Sequence, residues 1–509
     1  MARILAVDIG GTSVRAAVVD TDGGNIAGSA ARSTAHLIDA PPLGRSYDAD
    51  ALWDQACAAM REAVYRAGAR GGASAAEPVV AVAATAQRVA CAALGDGDVP
   101  LYLGPNLDTR GVATGWAVAE AGGADLYART GRSLAMLYAP SRLLWFRQER
   151  PEVFERIRRV LGLGDWLALK LSGEAATEPG TAADLLALDV HTGEYWEQLW
   201  SRCGLDPSWL APLRRAGTRL GEVTAAAAER CGVAAGTPVA VCAPDSLAAM
   251  LGAGAARPGT TLVMAGSTMP ILAATETPRA DPDGRIWTGR HPVGDQGVVE
   301  SNAGTAGYGW AWMAEQLVGA VSGLEGDSAY AAAERLAATA PPGAHEALLY
   351  SGGAGILDVA NPATFLAHTS ALLWPSTVLQ PDLGAGSVVR AALESVAHIA
   401  RANVEQVEAV CDGAGQRLVV GGGMARSRLL LQMLAALMDR PVHTPRFDAT
   451  MVGAAACGAV TAGVFADLAA AAAAMGAVDV AAEPEAALVP EYAAAHRRWR
   501  AQYARLQSL

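Results

Sequence analysis

The chain opens on an apolar run, Ile4-Leu-Ala-Val7, followed by the polar, glycine-rich Asp8-Ile-Gly-Gly-Thr-Ser13. A second apolar run, Val14 to Val19, closes on Asp-Thr-Asp-Gly-Gly24. Two short β-prone runs around a glycine turn predict a hairpin. The pattern returns at Thr260-Thr-Leu-Val-Met-Ala-Gly-Ser-Thr-Met-Pro-Ile-Leu-Ala-Ala274, again strand, Gly-Ser-Thr turn, strand. Between the hairpins, Trp53, Cys57, Met60 and Val64 recur at helical spacing and predict a helix over 51–68. Pro78-Val-Val-Ala-Val-Ala-Ala84 reads as a buried strand ending in the polar Thr85-Ala-Gln-Arg88. Residues 98–116 form a polar loop containing Asn106, Asp108 and Arg110. Residues 140–175 read as helical, with Gly173 as the stop. A strand over Thr237–Cys242 leads to Ala-Pro-Asp245. Helices are predicted over 310–317 and 387–410. A last strand, Arg417-Leu-Val-Val420, runs into Gly421-Gly-Gly-Met-Ala-Arg-Ser427, and Asp448-Ala-Thr-Met-Val-Gly opens an alanine-rich helix.

The chain has 509 residues, which suits two large domains. The boundary is placed near 247–256, giving domains 1–250 and 251–509. At 52% hydrophobic and 18% charged residues, a large core is available. The net charge is −12, with no basic stripe, so nucleic acid is not expected as a partner. Lys170 is the only lysine, which removes lysine as a phosphate or Schiff-base residue elsewhere. Seven scattered cysteines, without a C-x-x-C pair, suit buried thiols in a reducing compartment. No signal peptide is indicated, and the alanine-rich stretch 467–479 is too short to span a bilayer. A cytoplasmic protein with no membrane partner is expected.

Glycines let backbone N–H groups approach and cradle phosphate oxygens. Asp8, beside such a turn, can hold a magnesium ion or its waters. Asp245, after a strand and an Ala-Pro bend, can take a proton from a hydroxyl that attacks a phosphoryl group. Singly, each acid reads equally as a helix cap or loop residue. The pair, each beside a phosphate-type turn in its own half, suggests a nucleotide held between two similar domains. Gln87 and Arg88 can hydrogen-bond hydroxyls of a polar substrate. Tyr138 and Trp53 suit core or pocket wall. The triple glycine 421–423 lies where a strand turns into a helix, but Arg426 replaces the third glycine of a dinucleotide fingerprint. The histidines show no zinc spacing.

With these segments the chain resembles the FGGY family of carbohydrate kinases. Asp8-Ile-Gly-Gly-Thr-Ser13 is similar to the first phosphate motif and Gly266-Ser-Thr268 to the second. Asp165-Trp-Leu-Ala-Leu-Lys-Leu-Ser-Gly-Glu174 resembles the D-[YW]-L-x(4)-[ST]-G-E segment. Gly421–Ser427, Asp448–Ala455 and Glu300–Gly307 resemble nucleotide-side segments. Tyr47–Trp53, Pro105–Arg110, Arg142–Trp145 and the 165–174 segment look most similar to the autoinducer-2 kinase branch. Arg88-Val89 stands where that branch and the glycerol kinases place Arg-Glu, so one hydroxyl-binding carboxylate is missing. Xylulokinases place Met-His after the Gln, also missing here. Residues 351–372 lack the Pro-Tyr-x-x-Gly-Glu-Arg signature of many members.

The resemblance implies an α/β protein of two ribonuclease-H-like (actin-like ATPase) domains with a central interdomain cleft. It implies ATP and Mg2+ as cofactors and a small sugar, ketose, polyol or related linear hydroxy compound as acceptor. Asp245 is then the catalytic base, and Asp8 with Asp245 the metal side. Gly10, Thr12, Ser13, Gly266, Ser267 and Thr268 contact phosphates. Gly307, Gly422, Gly423, Met424 and Ser427 line the adenosine pocket. Gln87, Arg88, Asn106, Tyr138 and Asp245 meet the acceptor. Homodimers occur in the family. A catalytically silent sugar- or nucleotide-binding protein on the same scaffold is the alternative, supported by Val89 and opposed by Asp8 and Asp245. An actin- or chaperone-like ATPase and a dehydrogenase fit less well.

Overall fold

The protein is described from a computed structural model that covers residues 2–34, 37–40, 43–70, 78–351, 355–358, 370–411 and 417–506. The first sheet contains β1 (Arg3–Ile9), β2 (Ser13–Asp20), β3 (Ile26–Ser33), β4 (Val79–Ala86), β5 (Arg219–Glu222) and β6 (Pro238–Ala240), in the order β5-β6-β4-β1-β2-β3. The second contains β7 (Thr260–Met264), β8 (Pro270–Thr275), β9 (Trp287–Arg290), β10 (Gly297–Asn302), β11 (Arg417–Gly421), β12 (Val442–Pro445) and β13 (Val478–Ala482), in the order β9-β10-β8-β7-β11-β12-β13.

The two sheets repeat one topology. In the first, β3, β2 and β1 pair antiparallel, β1, β4 and β6 pair parallel, and β5 closes antiparallel. In the second, β10, β8 and β7 pair antiparallel, β7, β11 and β12 pair parallel, and β13 closes antiparallel. The repeated hairpin in the sequence is thus the visible part of a repeated domain. β1 is buried on both faces, which is why its apolar run is continuous rather than alternating.

Helices pack on the sheets. α1 (Ala49–Arg70) covers β2 and β3, and α2 (Leu163–Ser172) covers β4. α3 (Asp245–Gly252) follows β6, α4 (Ala385–Glu408) and α5 (Arg428–Met438) serve the second sheet, and α6 (Ala449–Thr461) packs on both α3 and β1. α7 (Leu488–Leu506) ends the described chain and packs on α5. The α3–α6 contact is backbone to backbone. A Cβ on Gly453 would meet the Ala248 carbonyl, and one on Gly252 the Ala449 carbonyl, each at under 2 Å. Only glycine permits that approach. Around these helices one apolar core joins Ile4, Ala6, Ala81 and Ala83 of the first sheet to Leu262, Leu272 and Val419 of the second.

Two expectations need correction. Residues 140–175 are not continuously helical: Arg159–Gly162 is a strand between two helical stretches, because it pairs with Cys91–Leu94. A boundary after residue 250 falls inside α3, which runs unbroken from 245 to 252. Most of the 351–372 segment lies outside the described residues. Among the described residues, no helix is long and apolar enough to cross a membrane.

Candidate active site

Asp8 is the penultimate residue of the fully buried β1, and Asp245 opens α3 after the extended Pro244. Thr85 Oγ1 donates to the Ala243 carbonyl at 2.7 Å and ties the end of β4 to the approach to Asp245. Asp245 Oδ1 accepts from the Ser246 N–H at 2.6 Å. Burial, reinforced by the negative charge of Asp8, pushes the Asp245 carboxyl up to about 7, against the pull of the Arg88 guanidinium. Asp8 is also raised by burial, with Arg15 opposing. Arg15 donates to Asp8 Oδ2 through Nη2 at 2.6 Å and Nε at 3.2 Å. Among the described residues, Asp8 Oδ1 is buried and has no hydrogen-bond partner. A carboxylate oxygen removed from water and left without a donor suits a cation. Mg2+ is commonly held by one or two carboxylates plus substrate phosphates, so this sparse donor set fits it. Among the described residues, no group of three or more His, Cys, Asp or Glu could form an all-protein cage.

The two glycine turns are built alike. Gly10 N–H donates to the Ser13 carbonyl at 2.9 Å, and Gly266 N–H donates to the Thr268 carbonyl at 3.2 Å. These two amides are spent closing their own turns, which corrects their expected role as phosphate donors. Thr12, Ser267 and Thr268 are exposed and Ser13 is half-buried, so the hydroxyls of both turns remain accessible. Gly307 also departs from expectation: it is buried, and a Cβ there would lie 1.8 Å from the Gly266 carbonyl. Its part is to let a helix approach the second turn, not to line a pocket. Gly422 has φ +89, and it and Gly423 are exposed between β11 and α5. Met424 N–H donates to the Ala265 carbonyl at 3.0 Å, which docks this loop beside the second turn. Ser427 Oγ accepts from the Leu430 N–H at 3.1 Å; it caps α5.

On the acceptor side, Gln87 is buried and fully engaged. Its Nε2 donates to Tyr47 Oη at 2.8 Å and to the Gly10 carbonyl at 3.3 Å, and its Oε1 accepts from the Asn106 N–H at 3.4 Å. It links the first turn to the 105–110 loop rather than offering free donors. Asn106 itself is exposed. Arg88 donates through Nε and Nη2 to Asp184 at 3.0 and 3.1 Å, and through Nη1 to Glu300. Tyr138 is fully buried, and its hydroxyl, raised by burial, feels Arg132, Asp184, Arg88 and Glu300. Trp53 lies in the core of the first domain. Val89 has φ +63, a strained conformation for a β-branched residue. Its side chain packs on the apolar cluster around Cys91 and Tyr102, and its carbonyl accepts from Arg142 Nη1 at 3.0 Å. A small pocket lined by Gln87, Arg88, Thr181 and Asp184 reaches Pro244, the residue before Asp245.

The structure therefore brings Asp8, Asp245, Gln87, Arg88 and Tyr138 together beside the first turn. The sequence reading missed Arg15, Arg132 and Asp184, and it grouped Glu300 with a nucleotide-side segment. Their signal is spatial: Asp184 ends a short helix 96 residues beyond Arg88, and Glu300 lies 212 residues beyond it.

Residues 3–252 match the FGGY family of carbohydrate kinases, N-terminal domain, and residues 262–462 match its C-terminal domain. The chain is 28% identical over 480 residues to the autoinducer-2 kinase of Escherichia coli O139:H28, covering 92% of this chain and 87% of that one. It is similar to the crystal structure of xylulose kinase from Rhodospirillum rubrum, with 26% identity, a TM-score of 0.81 and 99% of each chain covered. It also shares the fold of gluconate kinase from Lactobacillus acidophilus, with a TM-score of 0.85 at 16% identity over 99% of this chain and 98% of that one. Two matched domains, the repeated topology and the paired acids lead to one conclusion: the chain belongs to the FGGY family of carbohydrate kinases, phosphotransferases with an alcohol group as acceptor, on the actin-like ATPase fold.

Proposed function

We propose that the protein transfers the γ-phosphoryl group of Mg-ATP to a hydroxyl of a small ketose, polyol or related linear hydroxy compound, of the xylulose or autoinducer-2 type. The observation that carries this reading is Asp245: a carboxylate with its pKa pushed up to about 7, between Asp8 and Arg88, beside the pocket. A base works best with a pKa near the operating pH. The similarity to autoinducer-2 and xylulose kinases supports the acceptor class.

In this reading Asp245 accepts the proton of the attacking hydroxyl. Asp8 Oδ1 and Asp245 hold the metal side, where Mg2+ supplies charge neutralisation of the phosphates. The hydroxyls of Thr12, Ser13, Ser267 and Thr268 orient phosphate oxygens. Gly422, Gly423 and Met424 form the adenosine side. Arg88, Tyr138 and Asn106 position the acceptor, with Gln87 fixing the loop that carries Asn106. Domain closure excludes water, which would otherwise compete as acceptor.

The test is ADP release from Mg-ATP across ketoses, aldoses, polyols, gluconate and dihydroxypentanedione. Strong stimulation by one compound supports the reading and names the acceptor. ATP binding with no stimulation by any would favour a silent binding protein instead, and absence of ATP binding would defeat the phosphate-turn argument.

A further inference from the structure

Arg88 is held from both halves of the molecule. Asp184, in the first domain, takes its Nε and Nη2, and Glu300, on β10 of the second, takes its Nη1. Asp184 Oδ1 also accepts from Arg132 Nη2 at 3.2 Å, and Arg132 Nη1 lies 3.9 Å from Glu300 Oε2. The four side chains are only 3–13% exposed. Two guanidinium groups and two carboxylates close a buried, electrically neutral ring. It adjoins Asp245, whose carboxyl feels both Arg88 and Asp184.

The charge balance constrains what can enter. Buried charges are stable only when paired, and an added charge without a counterion is costly. Arg88 and Arg132 already have their anions. Beside Asp8, Arg15 is shared between Asp8 and Asp448. At this ring an acceptor carrying a carboxylate would meet guanidinium groups that are already paired and would face the carboxylates of Asp8, Asp184, Asp245 and Glu300. An uncharged hydroxyl compound meets no such barrier. Arg88 carries five N–H donors and uses three here, so two are left for hydroxyl or carbonyl oxygens. The carboxylates can accept from acceptor hydroxyls, a part that Val89 cannot play.

We propose that Asp184 and Glu300 are specificity-determining residues of the acceptor site, Glu300 reaching it from the second domain. By neutralising Arg88 and Arg132 they fit the site to uncharged polyhydroxy compounds and shut out acceptors bearing a carboxylate. This rests on the phosphotransfer reading above.

The experiment compares D-xylulose, glycerol and dihydroxypentanedione with D-gluconate and D-xylonate on the full chain. Both kcat/KM for ADP release and binding by calorimetry are measured. The wild type should favour its best neutral acceptor over either aldonate by at least about 100-fold, the scale of two decades of affinity. Glu300→Gln should narrow that ratio at least about tenfold, mainly through KM, and Asp184→Asn should act in the same direction. Glu300→Asp, which keeps the charge, should restore the wild-type ratio, an outcome that simple structural damage would not give. An aldonate that binds as tightly as the best neutral compound would overturn the charge rule, whatever the turnover. So would an unchanged ratio in folded Glu300→Gln and Asp184→Asn. Selective binding of neutral compounds without any ADP release would instead overturn the phosphotransfer reading and leave the charge rule upheld.

Discussion

Arg15 Nη1 donates to Asp448 Oδ2 at 2.5 Å while Arg15 Nη2 holds Asp8. One guanidinium thus joins the buried acid of the first domain to a helix cap of the second, because Asp448 Oδ1 accepts from the Met451 N–H at 3.2 Å and starts α6. Asp448→Ala removes both links. A lost cap costs about 1 kcal/mol, and a half-exposed ion pair adds about 0–1 kcal/mol. Equilibrium urea unfolding should show a loss of about 1–2 kcal/mol in all. Stability indistinguishable from the wild type would mean that neither link contributes.

Asp245 sets activity against stability. Asp245→Asn should lower kcat by about 10²–10⁴-fold, the range for losing a general base. The same change should stabilise the fold at alkaline pH. The folded carboxyl titrates near 7 against 3.8 for the ordinary group, so its contribution is fully present below pH 3.8 and is lost as pH rises through about 7. Above that pH the wild type carries a buried charge that the amide lacks. Melting temperatures at pH 8.5 should be higher for the variant, and the gap should shrink at pH 5. A variant that melts lower at pH 8.5, or that keeps near-normal turnover, contradicts the assignment.

Arg88 acts on the electrostatics of Asp245, and in the proposed reaction it also positions the acceptor. Its positive charge lowers the Asp245 pKa, against burial and Asp8. The acid limb of kcat/KM should therefore lie near pH 7 in the wild type and move to higher pH in Arg88→Gln, with KM for the acceptor raised. Profiles of kcat/KM between pH 5.5 and 9 decide this. A limb that stays in place, or moves to lower pH, would separate Arg88 from the electrostatics of the base.

Much of this arrangement was legible in the chain, and the rest was not for definite reasons. The hairpins announced themselves because β1 and β7 are buried on both faces, which forces continuous apolar runs ending at a glycine turn. Asp8 stood out because it follows such a run directly, and Asp245 because it follows a strand and an Ala-Pro bend. Arg88 was visible, but its two anions were not: Asp184 ends a short helix and Glu300 lies in a strand, and neither has a local pattern that signals pairing with a distant cation. The strand over Arg159–Gly162 was hidden between helical stretches, since its pairing partner is Cys91–Leu94. Gly307 reads as a ligand glycine in sequence, whereas space decides its role, because the Gly266 carbonyl occupies the place a side chain would need.

The second domain carries a separate acid-sensitive contact between α4 and α7. His398 Nδ1 and His496 Nδ1 are 3.3 Å apart and buried, with Trp499 stacked on His496. At that spacing one Nδ1 donates and the other must accept, so the accepting ring has to be neutral. Burial holds His496 down to about 3 and His398 well below 6.5, helped by the positive charge of Arg401, which acts on both. Arg500 also lowers His496, and Arg498 lowers His398; among the described residues Glu405, 3.9 Å from His496, is the one anion within ion-pair distance of either ring. Lowered folded pKa values mean that the unfolded chain binds more protons below pH 6.5. The contact therefore contributes fully above pH 6.5 and weakens progressively as pH falls towards about 3. Global stability blends this with the opposite trend of Asp245, so the local readout is hydrogen exchange in α7. Exchange there should speed up between pH 7 and pH 5, after correction for the intrinsic pH dependence of exchange. Replacing the ionisable ring, as in His496→Phe, should flatten that dependence. Equal acceleration in the wild type and His496→Phe would show that another group governs the docking of α7.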